Sequence, residues 1–201
     1  MDAPSLTDLL RQAVPGAGIE ALDSADMPTI AVDREHLIAV SEALRDDARL
    51  QFAFLADVTA VDRLPAEPRF ELVYHLACLG RHYTTTDGGA APPARLRLKV
   101  RLPAADPRAP SLVSVYPTAG WPEREVFDLF GISFDGHPDL RRILMPDDWV
   151  GHPLRKDSSV QIRKDTIATS PLQLTPEEFA RNVRAGRDAA QQASQGQVSH
   201  E

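Results

Sequence analysis

Three carboxylates within about two helical turns are the feature of this sequence that could most directly do chemistry. Neighbouring carboxylates shift one another's pKa values, so one can act as a general acid while another stays ionised as a base. The alternative is a buried ion-pair network that ties a helix to arginines further along the chain. We favour the network, because like charges this dense need guanidinium groups to offset their repulsion. The carboxylates are Glu123, Glu125 and Asp128, with Arg124 among them, and the candidate arginines are Arg141, Arg142 and Arg155.

Side chains that could bind a metal are sparse. His137 and His152 lie in an irregular stretch without a cysteine or a second histidine motif beside them, so we expect both imidazoles to bond to backbone instead. His75 and Cys78 are three residues apart on a predicted strand, which puts them on opposite faces. One cysteine cannot form an internal disulfide or hold an iron–sulfur cluster, and Cys78 is expected to be a small buried hydrophobe.

Composition and motifs narrow the classes of function further. The 201 residues carry 22 Lys plus Arg against 29 Asp plus Glu, and the net charge of -7 argues against nucleic acid as a partner. The sequence has no glycine-rich nucleotide loop and no Gly-x-Ser-x-Gly motif. No apolar run approaches the ~18 residues of a membrane span, and the first residues do not resemble a secretory signal.

Hydrophobic periodicity predicts the elements that must position these residues. A first helix capped by Ser5 ends at Pro15-Gly16, and a second begins at Asp33 and continues through about Arg45. Two helices with a run of strands indicate an α+β fold of two layers, with the helices on one face of a mixed β-sheet. The strands are predicted at 19–22, 29–32, 52–61, 70–79, 95–102 and 112–116, with a loop at 87–93.

One predicted strand presents four cations on a single face, at Arg95, Arg97, Lys99 and Arg101. They could form a docking stripe for an acidic partner surface. They could equally be the solvated face of an edge strand, where charge discourages aggregation. The sequence leaves both interpretations open.

The regular strand pattern of the sequence ends near residue 120. Trp121 to Phe130 predicts a short helix, and residues 131–157 are rich in proline, glycine and aromatic side chains, which favours a protein interface. Thr175-Pro176 starts a polar helix that precedes a Gln- and Ser-rich tail. We therefore predict three parts: an α+β domain at 1–120, a docking segment at 121–165, and a polar helix with a disordered tail at 166–201.

The docking segment carries a resemblance to a known family. Glu123-Arg124-Glu125 is followed by Asp128-Leu129-Phe130-Gly131-Ile132, then by His137-Pro138-Asp139-Leu140-Arg141-Arg142-Ile143-Leu144 and by Gly151-His152-Pro153-Leu154-Arg155-Lys156-Asp157. This run resembles the signature of the C subunit, or 30 kDa subunit family, of the proton-translocating NADH–quinone oxidoreductase, respiratory complex I. The earlier elements fit as well, so the resemblance covers about residues 1–165.

The resemblance implies a non-catalytic structural subunit of the peripheral arm, with no cofactor or metal of its own. FMN, iron–sulfur clusters and quinone would bind in neighbouring subunits. The partners would be chiefly the D subunit of the complex, then B, with I as a further candidate. The location would be the cytoplasmic side of a bacterial inner membrane or the matrix side in a mitochondrion. The residues expected to support structure and docking are Glu123, Arg124, Glu125, Asp128, Gly131, His137, Pro138, Asp139, Arg141, Arg142, His152, Pro153, Arg155 and Lys156.

Two alternatives remain open at this point. A membrane-bound hydrogenase or a ferredoxin-linked quinone oxidoreductase carries a similar subunit, and only the electron-donor module differs. A stand-alone soluble enzyme that uses Glu123, Glu125 and Asp128 is the other alternative.

Overall fold

The structure, a computed structural model, describes residues 2–80, 94–158 and 181. The chain divides into two compact units, Met1–Ser159 and Val160–Glu201, and the candidate site belongs to the first. The loop predicted at 87–93 lies outside the described residues. So do the predicted helix from Thr175 and the tail, apart from Arg181.

Helix α1 spans Ala3–Ala13, and its cap differs from the prediction. The carboxylate of Asp2, rather than the hydroxyl of Ser5, caps the helix, and it accepts the Ser5 backbone N–H at 3.0 Å. Pro4 occupies the first turn, where its missing N–H costs nothing. The helix therefore begins earlier than the Ser5 cap implied.

The second helix, α2, spans Leu37–Asp46 and follows a 3-10 turn at Arg34–His36. Asp33 precedes the turn but makes no side-chain capping bond, so the predicted cap is wrong. Its carboxylate instead bonds to His36 Nδ1 at 2.8 Å and accepts the Gly18 N–H at 3.1 Å. Asp33 thereby joins the start of this helix to the segment before the first strand.

Five strands form the main sheet in the order β1-β2-β5-β4-β3. The β2–β5 pair is parallel and the other pairs are antiparallel, which confirms a mixed sheet. The longest register runs from Phe70 opposite Leu102 to Cys78 opposite Ala94. The strands are β1 Ile19–Leu22, β2 Thr29–Val32, β3 Phe54–Asp62, β4 Phe70–Cys78 and β5 Ala94–Leu102.

The helices cover one face of this sheet. The alternate residues Leu96, Leu98, Val100 and Leu102 of β5 are fully buried, whereas Arg101 between them is exposed. The apolar sides of α1 and α2 join the same core, as do residues of a third helix, α3 (Gly120–Phe130). The predicted α+β class with two layers is confirmed, because strict alternation along β5 puts its cations on the face opposite these three helices.

The predicted strand at 112–116 is wrong. Val115 N and Tyr116 N both donate to the Leu112 carbonyl, at 3.0 and 2.7 Å, so the segment is a helical turn. A second, parallel pair of strands, β6 (Arg108–Pro110) and β7 (Ser133–Asp135), was not predicted. Strands of three residues are too short to show an alternating pattern. Among the described residues, no helix has the length and apolarity to cross a membrane.

Candidate functional site

The three carboxylates of α3 point in different directions. Glu123 and Asp128 are fully buried, whereas Glu125 is exposed. The helix therefore does not gather them into one acid–base centre, and the grouping suggested by their spacing is wrong. Glu123, Val126 and Phe130 lie on one face of the helix. Glu125 and Asp128 lie off this face, so their side chains have different surroundings.

Glu123 anchors the turn before the helix. Its carboxylate accepts the Ser111 hydroxyl at 2.6 Å and the Leu112 backbone N–H at 2.8 Å. Burial raises the pKa of Glu123, and these two hydrogen bonds oppose that rise. The predicted arginine network is thus wrong for Glu123, whose carboxylate is held by a hydroxyl and a backbone amide.

Asp128 organises the loop that follows the helix. Its Oδ2 accepts three consecutive backbone N–H groups, from Ile143, Leu144 and Met145, at 3.0, 2.8 and 2.8 Å. Its Oδ1 accepts Arg142 Nη1 at 2.6 Å. Burial opposes ionisation, but the amides and the guanidinium outweigh it and hold the pKa of Asp128 below its usual range. The carboxylate therefore shapes residues 142–145 around itself.

Arg142 extends this bracing to the end of the loop. Its Nη2 donates to the Trp149 carbonyl at 3.2 Å and to the Gly151 carbonyl at 3.1 Å. The predicted pair of Arg142 with a carboxylate of α3 is confirmed, and the second terminal nitrogen of this guanidinium goes to backbone. The Arg141 side chain, by contrast, forms an exposed pair with Asp139 at 2.9 Å.

The carboxyl end of α3 is capped by Leu154 and Arg155 of the same loop. Gly131 follows the helix at φ 70°, and a Cβ there would collide with the His152 ring and lie 2.5 Å from Arg155 Nη2. Arg155 donates to the carbonyls of Phe130 and Gly131, at 2.5 and 3.1 Å, and Leu154 N donates to the Leu129 carbonyl at 3.0 Å. These contacts satisfy carbonyls that a helix leaves without internal partners.

Both candidate histidines bond to backbone, as we favoured. His152 Nδ1 donates to the Asp128 carbonyl at 2.9 Å, and burial lowers the pKa of this imidazole. His137 Nε2 donates to the Gly120 carbonyl at 2.9 Å, while its Nδ1 accepts the Asp139 N–H at 3.0 Å. Within residues 2–80 and 94–158, no three His, Cys, Asp or Glu side chains are grouped so that they could hold a metal ion.

A latch at the end of the loop was not predicted. Arg69 bonds with two nitrogens to Asp62, at 3.0 and 2.8 Å, and with two to Asp157, at 2.9 and 2.7 Å. Lys156 N also donates to Asp62 Oδ2 at 2.8 Å. The guanidinium carbons of Arg69 and Arg155 lie 4.8 and 5.3 Å from the centre of the Phe70 ring. The loop is therefore fastened at its far end to the turn between β3 and β4.

The remaining signature residues lie on or near this loop. Arg124 donates to the carbonyls of Arg141 and Arg142, at 3.1 and 3.0 Å, and Lys156 Nζ donates to the Leu64 carbonyl at 3.1 Å. Pro138 is exposed and Pro153 is half-buried. We name residues 136–158 the clasp, because hydrogen bonds fasten residues between 137 and 155 to α3, and Lys156 and Asp157 to the β3–β4 turn.

Three of the four cations of β5 have partners inside the described part of the chain. Arg97 pairs with Asp26 at 2.7 Å, and Lys99 pairs with the buried Glu71 at 2.8 Å. Arg101 contacts Glu20 at 3.2 Å. The edge-strand explanation is wrong, because β5 lies between β2 and β4. Cys78 is buried on β4, as expected of a small hydrophobe.

Three surface cavities in the part of the chain that the structure describes, of about 500 to 570 Å³, are lined by no signature residue. Asp128, Arg142 and Arg155 are bonded to backbone or to one another, and these bonds hold the loop in place. The fold and the site together define a class: a small α+β protein with a long loop that charged side chains hold in place.

Comparisons with known proteins agree with this class. The family described as "Respiratory-chain NADH dehydrogenase, 30 Kd subunit" matches residues 30–164, and the chain belongs to this family. The C subunit of the NADH-quinone oxidoreductase of Roseiflexus sp. (strain RS-1) is 42% identical over 157 residues, covering 78% of this chain and 84% of the relative. The C subunit of the Moorella thermoacetica enzyme is 43% identical over 143 residues, covering 71% and 87%.

Solved structures show a similar fold. A trypsin-resistant fragment (1-134) of Nqo5 is 33% identical, with a TM-score of 0.52, and the match covers 70% of this chain and 100% of the fragment. A chain of an archaeal membrane-bound sulfane sulfur reductase has a TM-score of 0.60 at 24% identity, covering 78% of this chain and 85% of that chain. The second likeness concerns the fold alone.

Proposed function

We propose that this chain is a non-catalytic structural subunit of the peripheral arm of a complex I-type NADH–quinone oxidoreductase. The observation that carries the proposal is the set of groups to which the charged signature side chains are bonded. Asp128, Arg142 and Arg155 bond to backbone or to each other, in a family whose members are named as the C subunit of that enzyme. Groups committed to such bonds stabilise a shape and are poorly placed to transfer protons or electrons.

The clasp is the part of the chain that we assign to docking. Together with α3, it carries signature residues that act as internal braces, such as Asp128 and Arg142, and others at the surface, such as Glu125, Pro138 and Arg141. Braces would fix the loop before assembly, which lowers the entropic cost of binding a neighbour. The predicted three-part division of the chain is part of this proposal.

The partners in this proposal are chiefly the D subunit of the complex, then the B and I subunits. FMN, iron–sulfur clusters and quinone would be bound by neighbouring subunits and not by this chain. The complex would lie at the cytoplasmic side of a bacterial inner membrane, or at the matrix side in a mitochondrion. As part of the whole enzyme, the chain would share a translocase activity to which it contributes no active-site residue.

Copurification tests the proposal. The full chain is given an affinity tag in its own host, and solubilised membranes are passed over the affinity resin. We expect NADH–quinone activity and several further subunits to elute with the tagged chain, whereas the chain expressed alone has no such activity. A chain that elutes alone and turns over a substrate would overturn the proposal. Elution with a hydrogenase or ferredoxin-linked module in place of an NADH module would replace it by the related-complex alternative.

A further inference from the structure

The clasp and α3 carry most of the exposed large apolar side chains. Seven such side chains occur in the described part of the chain, and four of them belong to this region. Apolar side chains grouped on a surface are typical of protein interfaces. The four are Trp121, Leu144, Val150 and Leu154, with 70%, 59%, 76% and 50% of their area exposed, and the others are Phe54, Val61 and Leu79.

The buried Asp128–Arg142 pair bonds to the backbone at or next to two of these residues, Leu144 and Val150. The Leu144 N–H donates to Asp128 Oδ2 at 2.8 Å. Arg142 donates to the carbonyls of Trp149 and Gly151, which flank Val150 on both sides. The backbone at Leu144 and Val150 is therefore fixed by one ion pair while their side chains remain exposed. An apolar surface ordered in this way loses little conformational entropy when a partner binds.

Trp121 is attached to the same loop through Arg124. The Arg124 guanidinium carbon lies 5.4 Å from the centre of the Trp121 ring, and its nitrogens donate to the carbonyls of Arg141 and Arg142. A guanidinium that stacks on an indole and bonds to a neighbouring loop fixes the ring beside that loop. The indole is thereby tied to the same loop that carries Leu144 and Val150.

The exposed charged side chains between residues 120 and 158 are mainly acidic. Exposed acidic side chains between residues 120 and 158 outnumber the exposed basic ones. They are Glu125, Asp135, Asp139, Asp147, Asp148 and Asp157, against Arg141 and Lys156. A partner of complementary charge would present lysine or arginine at its rim.

We infer that Trp121, Leu144 and Val150 form the centre of a docking surface for a face of another subunit with an aliphatic centre and a basic rim. This inference rests on the proposed function and goes further, because it names the surface and the chemistry of its partner. Large apolar anchors that are already ordered contribute a large share of binding energy at protein interfaces.

Matched pairs of variants test the apolar centre. Leu144→Asp is compared with Leu79→Asp, and Val150→Asp with Val61→Asp, so that each pair places the same charge at an exposed residue of the same type. All four full-length chains are expected to melt within about 3 °C of the wild type, since surface changes cost little. We expect the two clasp variants to lower the amount of assembled complex on native gels by about tenfold, and the two controls to lower it by less than about twofold.

The basic rim is tested by reversing one exposed charge. Asp147→Lys should lower assembly severalfold, whereas Asp23→Lys, at an exposed position far from the clasp in the sequence, should leave it unchanged. Unchanged assembly with Asp147→Lys would overturn the basic rim. Equal assembly of the clasp variants and their controls would overturn the docking surface.

The outcomes also separate this inference from the proposed function. If the wild-type chain copurifies with the complex and the clasp variants do so equally well, only the inference fails. If the wild-type chain never enters such a complex, the proposed function fails as well. A free wild-type chain that is dimeric, and that Leu144→Asp makes monomeric, would show that a second copy occupies the surface and would overturn the assigned partner.

Discussion

The Asp128 carboxylate lies 2.6 Å from the Arg142 guanidinium and has no exposed area of its own. Arg142 follows Asp128 by 14 positions in the chain, and the pair closes that segment into a loop with a fixed backbone. Three amides on the other carboxylate oxygen complete the arrangement. This one contact therefore joins α3 to the surface that we assign to docking.

Loss of Arg142 should cost far more stability than loss of its neighbour. Arg142→Ala leaves a buried carboxylate without its cation, and we expect about 3 kcal/mol less free energy of unfolding, since three amides still hold Asp128. Arg141→Ala removes only an exposed pair with Asp139 and should cost less than about 1 kcal/mol. Urea unfolding of both variants checks this, and equal losses would contradict the assigned role of Arg142.

Gly131 should tolerate a methyl group less well than Gly136. Both have φ in the left-handed region, at 70° and 82°, so alanine costs about 1 kcal/mol at either position from backbone strain. At Gly131 the new Cβ would also meet His152 and Arg155, whereas at Gly136 it meets nothing within 4 Å. We expect Gly131→Ala to lose about 2 kcal/mol more than Gly136→Ala in thermal or urea unfolding. Equal losses of stability in the two variants would mean that His152 and Arg155 can move away from the added methyl group at little cost.

Two buried tyrosines should respond differently to loss of the hydroxyl. Tyr116 donates to the carbonyls of Phe52 and Ser41, at 2.8 and 3.2 Å, so Tyr116→Phe should cost about 1–2 kcal/mol. The hydroxyl of Tyr74 has no hydrogen-bond partner in the part of the chain that the structure describes. Tyr74→Phe should therefore be neutral or slightly stabilising. A large loss on Tyr74→Phe would reveal a partner for that hydroxyl.

Glu123 and Asp128 should affect the pH dependence of stability in opposite ways. The pKa of Asp128 is lowered in the fold, so its contribution is present above the unfolded pKa and disappears as the pH falls toward the folded value. The pKa of Glu123 is raised, so its contribution is present below the unfolded pKa, near 4.5, and disappears as the pH rises through the folded value.

Glu123→Gln isolates the second effect. The amide keeps the size of the side chain but replaces one acceptor with a donor, so it should cost about 1–3 kcal/mol at low pH. As the pH rises from about 4 to about 8, the wild type loses the contribution of Glu123 and the variant does not, so the difference between them should narrow. Unfolding free energies measured across this range check the sign, and a difference that widens with pH would contradict the assigned shift.

The sequence was informative where a pattern repeats along the chain. Alternation of Arg and Leu predicted β5 almost to the residue, and the Asp128–Arg142 pair followed from the charges near one helix. Local patterns could not reveal that Arg69 bonds to Asp157, because the two are 88 positions apart and neither has a recognisable spacing. Local patterns also predicted the wrong partner for Glu123. The sequence does not distinguish a carboxylate that accepts a hydroxyl and a backbone amide from one that pairs with arginine.

The strand prediction for residues 112–116 was wrong for a related reason. Its β-branched and aromatic residues have strand propensity, but Glu123 takes the Leu112 N–H that a strand ladder would need. Tertiary contact therefore overrides local preference at this position.

The central claim is that these charges build a scaffold and perform no catalytic step. Its most direct test is NADH–quinone turnover per assembled complex, measured on native gels for the wild type, Arg142→Ala and the matched variant Arg141→Ala. We predict that Arg142→Ala lowers the amount of assembled complex severalfold while turnover per complex stays near that of the wild type, and that Arg141→Ala affects the amount much less. Intact assembly with a collapse of turnover per complex in Arg142→Ala would contradict the claim, because the guanidinium would then act directly in the reaction.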